Sequence, residues 1–249
     1  MAISKIGRNS TDTGITDGSD ATAITIDSSE KVGIGTASPQ DPLHVYLASG
    51  QRIARFEANS STSAHIGFKA NNTSLMPTIG VKDEDLYLST GDAVEAFRID
   101  ANGHVTMPLQ SAFCATMSAN QNNLAINTDT VVAFNTERFD QNADYNTSTF
   151  TFTAPVTGKY QLNFYIRFDQ LDQDADHYRT RIVTSNRTYE TRVVDPSTYD
   201  TDTRYHGNSG SVFADMDSGD TATAQFFTAN SGNAQVDLSE GHFSGYLVC

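Results

Sequence analysis

The sequence has no tryptophan and only two cysteines, Cys114 and Cys249, among its 249 residues. Two thiols are too few for a disulfide framework, and their separation is not that of a metal site. A bridge between them stays open beside the alternative of buried free thiols, with Cys249 closing an apolar strand. Basic residues are scarce: sixteen Lys and Arg stand against thirty Asp and Glu, a net charge of −14. Nucleic-acid affinity needs clustered Lys and Arg, so no nucleic-acid partner is expected. No apolar run approaches the roughly 18 residues that cross a bilayer, so no membrane insertion is expected. The opening residues, Met1 to Arg8, lack the apolar stretch of a secretory signal. A soluble chain that stays out of the secretory route is therefore expected, and sequons such as Asn146-Thr147-Ser148 carry no weight.

Helical patterning is missing as well. No segment repeats apolar residues at three and four over more than two turns. What the chain has instead is short β-branched and aromatic runs separated by Gly, Asn, Asp, Ser and Pro. Examples are Ala23 to Ile26, Leu86 to Leu88, Ala96 to Ile99, Tyr160 to Phe168 and Gly245 to Val248. The alternation of Tyr160 to Phe168 is incomplete, which suits a strand buried on both faces for part of its length. The fold class is all-β.

Texture divides the chain near Pro108. Before it, strands are short and punctuated by glycine; after it, Phe and Tyr become frequent and strands lengthen. The first half repeats itself once. Ile24-Thr-Ile-Asp-Ser-Ser-Glu-Lys-Val32 aligns with Phe97-Arg-Ile-Asp-Ala-Asn-Gly-His-Val105, each an Ile-Asp strand, a turn and a second strand entering at Val. Asn and Gly tolerate positive φ, so Asp100-Ala-Asn-Gly103 suits a tight hairpin. Isolated hairpins are marginal in water. Either other copies of the chain cover them around a common axis, as in a fibre, or further strands of the same chain do.

Residues 31–45, from Lys-Val-Gly-Ile-Gly-Thr to Leu-His-Val, resemble a segment that recurs in phage tail fibres and related surface-fibre proteins, and residues 85–105 resemble another such hairpin. The second copy departs at Thr106-Met107-Pro108, where Gly-Ile-Gly would stand, which marks an exit from the shaft. Gly33 and Gly35 are not a phosphate loop, since no Walker lysine or Rossmann helix follows. The second half is similar to the globular head of complement first component q, one of the tumour-necrosis-factor-like jelly rolls. The residues that carry this are Val132-Ala-Phe-Asn135 as an early strand, Phe150 to Tyr160 with its Pro155-x-x-Gly158-x-Tyr160, Ser209 to Phe213 with Asp217-Ser-Gly-Asp220, and the closing Phe243-x-Gly245-x-Leu247.

These resemblances imply an N-terminal attachment segment (1–20), a trimeric β-hairpin shaft (21–108) and an antiparallel jelly-roll sandwich head (109–249). They imply a homotrimer on a virion, as a tail or capsid fibre, whose head binds a host-cell surface glycan or protein receptor. Its N-terminus would meet other virion fibre or tail proteins. A fibre or capsid-decorating spike whose head mainly drives trimerisation is the alternative, and a bacterial surface protein borrowing the same modules is a third.

Residues 195–206 read as a loop rich in Tyr, Asp, Thr and Arg, residue types that stack and hydrogen-bond at low entropic cost. Tyr199, Asp202, Arg204, Tyr205 and His206 are the expected ligand contacts. Residues 169–176 read as an acidic loop. Asp172, Asp174 and Asp176 have the odd-position spacing of a calcium loop, but His177 and Val183 stand where that loop needs Gly and Glu. A helix–loop–helix calcium site is excluded; a solvated loop is expected, with calcium in another geometry left open. No catalytic residue and no other cofactor or metal is expected. The six histidines form no helical metal pair, no nucleophile elbow is present, and a lone carboxylate pair among thirty acids is weak evidence for glycoside cleavage.

Overall fold

A computed structural model describes residues 24–59, 62–91, 94–229 and 236–249. The expected attachment segment, 1–20, lies outside the described residues. The chain divides into two compact units, residues 1–66 with 80–83, and residues 67–79 with 84–249. Strands make up nearly all of the described secondary structure, and a single turn of 3-10 helix, Pro196–Thr198, is the one helical element among the described residues.

The first unit holds β1 (Ile24–Ile26), β2 (Val32–Ile34) and β3 (Leu43–Val45). β1 and β2 form an antiparallel hairpin, whereas β2 and β3 run parallel. Gly33 and Gly35 make this sheet possible. A Cβ on Gly35, at φ +75°, would lie 2.2 Å from the carbonyl oxygen of Tyr46. β4 (Ser63–Gly67) and β5 (Thr78–Lys82) fall across the division in sequence. The second unit begins with a meander of β6 (Asp85–Ser89), β7 (Glu95–Ile99) and β8 (Val105–Thr106).

The sequence repeat is one turn built twice. The Asp27 N–H donates to the Lys31 carbonyl at 3.0 Å, and its Oδ1 accepts from the N–H groups of Ser29 and Lys31. The Asp100 N–H donates to the His104 carbonyl at 3.0 Å, and its Oδ1 accepts from Asn102 and His104. The aspartate supplies acceptors that the turn's backbone lacks. The left-handed fourth position is Gly103 in one copy and Glu30, at φ 65°, in the other. Neither hairpin buries its apolar side chains: Ile26 remains 71% exposed, and no large hydrophobic residue before Phe113 is buried among the described residues.

The head is a sandwich of two six-stranded sheets. The first contains β9 (Ala112–Thr116), β10 (Gln121–Leu124), β12 (Thr136–Asp140), β15 (Gly158–Leu171), β18 (Thr203–Met216) and β20 (Val236–Leu247), in the order β12-β9-β20-β15-β18 with β10 also on β20. The second contains β11 (Thr130–Val131), β13 (Tyr145–Asn146), β14 (Thr151–Thr153), β16 (His177–Thr184), β17 (Thr188–Val194) and β19 (Thr221–Ala229), in the order β13-β14-β19-β16-β17 with β11 also on β19. Their inner faces enclose an aromatic core. Phe113 stacks on Phe152 and Tyr145 at 4.7 and 5.0 Å and meets Phe243 edge-on at 5.1 Å, packing worth more than area burial alone.

Three sequence expectations need correction. From Tyr160 to Phe168, β15 alternates between buried and half-buried positions and is not enclosed on both faces; Tyr165 supplied the apolar residue at an outward position. Residues 132–135 are no strand. They carry the chain between the sheets, with the N–H groups of Val132 and Ala133 bonded to the Ala224 carbonyl and the Gln121 side chain while Val132 and Phe134 fill the core. Neither cysteine is buried: β20 ends at Leu247, leaving Cys249 exposed, and Cys114 is half-buried with a free thiol that partial burial pushes above its usual pKa.

The family-like motifs have local causes. The Tyr160 hydroxyl donates to the Val156 carbonyl at 2.7 Å and closes the turn that Pro155 opens. At Gly158 a Cβ would lie 2.6 Å from the Cys249 carbonyl oxygen. At Gly245 it would lie 2.6 Å from Leu162 Cδ2 and 2.9 Å from Phe113 Cε1. Gly245→Ala should therefore destabilise the head by about 1–3 kcal/mol, the cost of overpacking, read as a lowered melting temperature. An unchanged melt would show that the core yields there.

Candidate functional site

The head has two ends. At one, the Lys159 N–H donates to the Cys249 carbonyl and the Leu247 N–H to the Ser111 carbonyl, so the head's first and last residues meet where β15 begins. The side chains of Gln141 and Asn142 hold the Met107, Gln110 and Leu109 carbonyls at this same end. β15 then runs fourteen residues, about 45 Å at the usual rise per residue. The 172–176 and 195–202 connections lie at its far end.

The five expected contact residues are all in this far region, but they do not share one surface. β18 already begins at Thr203, so Arg204, Tyr205 and His206 belong to a strand and not to a loop. Successive strand residues point to opposite faces. Tyr205 is exposed on the outside of the sheet, with the guanidinium groups of Arg167 and Arg204 over its ring at 4.8 and 5.1 Å. His206 turns inward, stacked on Phe168 at 6.1 Å. Tyr199 packs against the core, and its hydroxyl meets His206 Nδ1 at 3.2 Å. Asp202 accepts the Gln173 N–H at 3.1 Å and so ties the two far connections together. Asp195 caps the 3-10 turn, and bonds from Ser197 hold its carboxyl below the usual pKa.

The acidic expectation shifts too. Asp169 to Leu171 still belong to β15, and the connection is 172–176. Asp172 Oδ1 accepts the Asp174 N–H at 2.8 Å, and the Asp176 N–H donates to the Ala229 carbonyl. Among the described residues no three His, Cys, Asp or Glu side chains gather closely enough to hold a metal ion.

Two features escaped the sequence reading because tertiary packing creates them. On the outer face of the second sheet, Arg179 and Arg181 share the Asp129 carboxylate, and the Arg181 bond first of all holds its pKa below the usual range. A cavity of about 470 Å³ opens between the 143–147 segment and Thr153 and Pro155. Nothing in the spacing of those residues signals a concavity.

An antiparallel jelly-roll sandwich with a closed aromatic core and polar connections at both ends defines a head of the binding and trimerising class. The chain belongs to the C1q-domain family, whose model matches residues 112–248. Domains of this family form homotrimers and are typically non-enzymatic. Solved structures with similar folds include the globular domain of zebrafish complement 1qA protein, 18% identical, covering 56% of this chain and 98% of that one at a TM-score of 0.44. Murine APRIL is 13% identical over 56% of this chain and 99% of its own, at 0.40. PRD1 vertex protein P5 is 9% identical over 56% and 97%, at 0.38. A search of the curated proteins finds no match.

His206 gives the far end a pH dependence. Burial, then the charge of Arg192, lowers its pKa from the ordinary 6.5, and its Nε2 is buried without a partner among the described residues. Below pH 6.5 the unfolded chain binds more protons than the folded one, so stability falls as pH drops and the loss is complete below the folded pKa. The melting temperature should fall between about pH 7.5 and 5.5, and His206→Asn should flatten that fall. Equal slopes for both proteins would remove His206 from the acid response.

Proposed function

We propose that this protein is a viral, phage-type fibre component that attaches a virion to a host-cell surface receptor, most simply a glycan, through a trimeric C-terminal head. Its site of action is the virion, as a tail or capsid fibre. One observation carries the reading most: the head closes its own core, whereas the segment before it leaves Ile24, Ile26, Leu43, Phe56 and Phe68 exposed. Exposed apolar residues in such number ask for a cover, and further copies of the same chain around a shared axis supply it with identical hairpins. The fibre-like segments 31–45 and 85–105 support the same assignment. In this reading residues 21–108 are shaft, 109–249 are head, and the N-terminal residues meet other virion proteins.

A homotrimer should appear in light scattering after size exclusion as about three times the chain mass of 27.0 kDa. A stable monomer at micromolar concentration would sink both the shaft and the head assignment.

Receptor contact is assigned to the far end, where Tyr199, Asp202, Arg204, Tyr205 and His206 lie. Asp202, Arg204 and Tyr205 are its exposed members. A single exposed contact contributes little, so tight attachment comes from several heads acting together. Tyr205→Ala and Arg204→Ala should leave the melting temperature nearly unchanged and cut adsorption of the purified fibre to a panel of bacterial strains. Adsorption equal to wild type would take the receptor surface away from this region. A specific observation favours the alternative, a spike whose head mainly trimerises: Tyr205, Phe213 and Tyr246 are exposed on the outer face of one sheet. Loss of the trimer in Tyr205→Ala would decide for it.

A further inference from the structure

We propose that the cavity beside the head's first residues, walled by Asp144, Asn146, Thr147, Thr153 and Pro155, is a binding subsite for a neutral sugar unit. The choice of ligand class rests on the attachment reading, as a second contact at the end of the head opposite Tyr205; the site itself rests on the geometry that follows. It is an open hollow of about 470 Å³, and its wall is polar where small-molecule sites are mostly apolar.

The wall is built and then left with spare valences. Asp140 accepts the N–H groups of Asp144 and Tyr145 at 3.1 and 2.9 Å, which fixes the segment. Ala143 sits at φ 58°, a conformation that costs an L-residue energy. Asp144 Oδ2 accepts the Ser111 hydroxyl at 2.6 Å; among the described residues Oδ1 has no partner. Asn146 Oδ1 accepts the Ser148 and Thr149 N–H groups, which orients its amide and leaves the NH₂ end without a partner among the described residues. The side-chain hydroxyls of Thr147 and Thr153 likewise have none there. The cavity thus offers one pure acceptor, one pure donor and two groups that do either. Vicinal hydroxyls, each donor and acceptor, complement that set.

Other ligand classes fit worse. Burial raises the Asp144 pKa, and the Asp140 carboxylate adds to the rise, so a second negative charge is unwelcome there. That disfavours phosphates and sugar acids. A lipid chain finds too little apolar wall. A divalent cation would meet one free carboxylate oxygen and no free amide oxygen, since Asn146 Oδ1 is already engaged. Because Gln141 and Asn142 tie the segment down, binding orders little chain, which keeps a small ligand's affinity from being lost to entropy.

Saturation-transfer NMR on the full chain tests this with glucose, galactose, mannose and N-acetylglucosamine, and with galacturonate as the charged arm. At least one neutral hexose should receive saturation. Thr153→Trp, at an exposed strand position, should abolish it, and Asn146→Asp, which keeps the loop bonds but removes the donor, should weaken binding about fivefold, the worth of one hydrogen bond. Melting temperatures should stay unchanged; Thr153→Val, with a smaller expected loss of affinity, replaces the Trp variant if that one misfolds. Transfer that survives both variants, transfer from none of the four sugars, or galacturonate binding better than galactose each overturns the site. If the site holds but Thr153→Trp adsorbs to cells like wild type, the sugar subsite stands and its role in attachment falls. If cells are bound while no hexose is, attachment stands and this site falls.

Discussion

The head depends on the double pairing of one strand. β15 is hydrogen-bonded to β18 and β20 along most of its length, so its inward residues Tyr160, Leu162, Phe164, Ile166 and Phe168 occupy the middle of the core. Side chains this large need room above the neighbouring strands. The partner strands supply it with glycine: Gly245 stands across from Leu162, Gly210 from Phe164, and Gly241 from Ile166. A Cβ on Gly210 would lie 2.4 Å from a Phe164 ring carbon, and one on Gly241 would lie 2.4 Å from the Tyr165 carbonyl. Close packing of this kind leaves little freedom for the register to slip, because a slip of one residue would put a side chain where only hydrogen fits.

Much of this was legible because the motif residues act locally. Pro155, Gly158 and Tyr160 form a turn whose hydroxyl bond spans four residues, and Asp27 and Asp100 each organise a turn within four residues of themselves. What was misread depends on contacts far away in sequence. Val132 to Asn135 has strand-like composition, yet Gln121 and Ala224 take up its N–H groups while it crosses between sheets. The 195–206 segment looks like one polar loop, because nothing in Arg204-Tyr205-His206 reveals that β15 pairs with it from Leu171 onward. The Asp144 cavity was invisible for a similar reason. Its polar atoms come from a loop and a strand edge that only the fold brings together.

Strand pairing also changes what the far-end residues can do. Once Tyr205 and His206 are on a strand, they serve different sides of the molecule: Tyr205 lies in the open with two guanidinium groups near its ring, and His206 meets Tyr199 beside the 3-10 turn and stacks on Phe168. The Tyr199–His206 contact seats the 195–202 connection against the core.

Charge is sorted in a way that fits the exposed sheet face to packing and the connections to solvent. On the outer face of the first sheet, Lys159 is paired with Asp215, and Arg167 with Asp169 at 3.2 Å and Glu240 at 2.6 Å. Between them Gln161, Asn163 and Ser211 bond to one another across the strands. Polar groups that satisfy each other within one chain can be covered by another chain at a smaller desolvation cost than free ones. The acids of the connections, Asp172, Asp174, Asp200 and Asp202 among them, have no ion-pair partner among the described residues. Much of the net charge of −14 is therefore carried at the ends of the sandwich. Repulsion between copies there is screened beyond about 8 Å at physiological salt, while the apolar and paired surfaces act at contact.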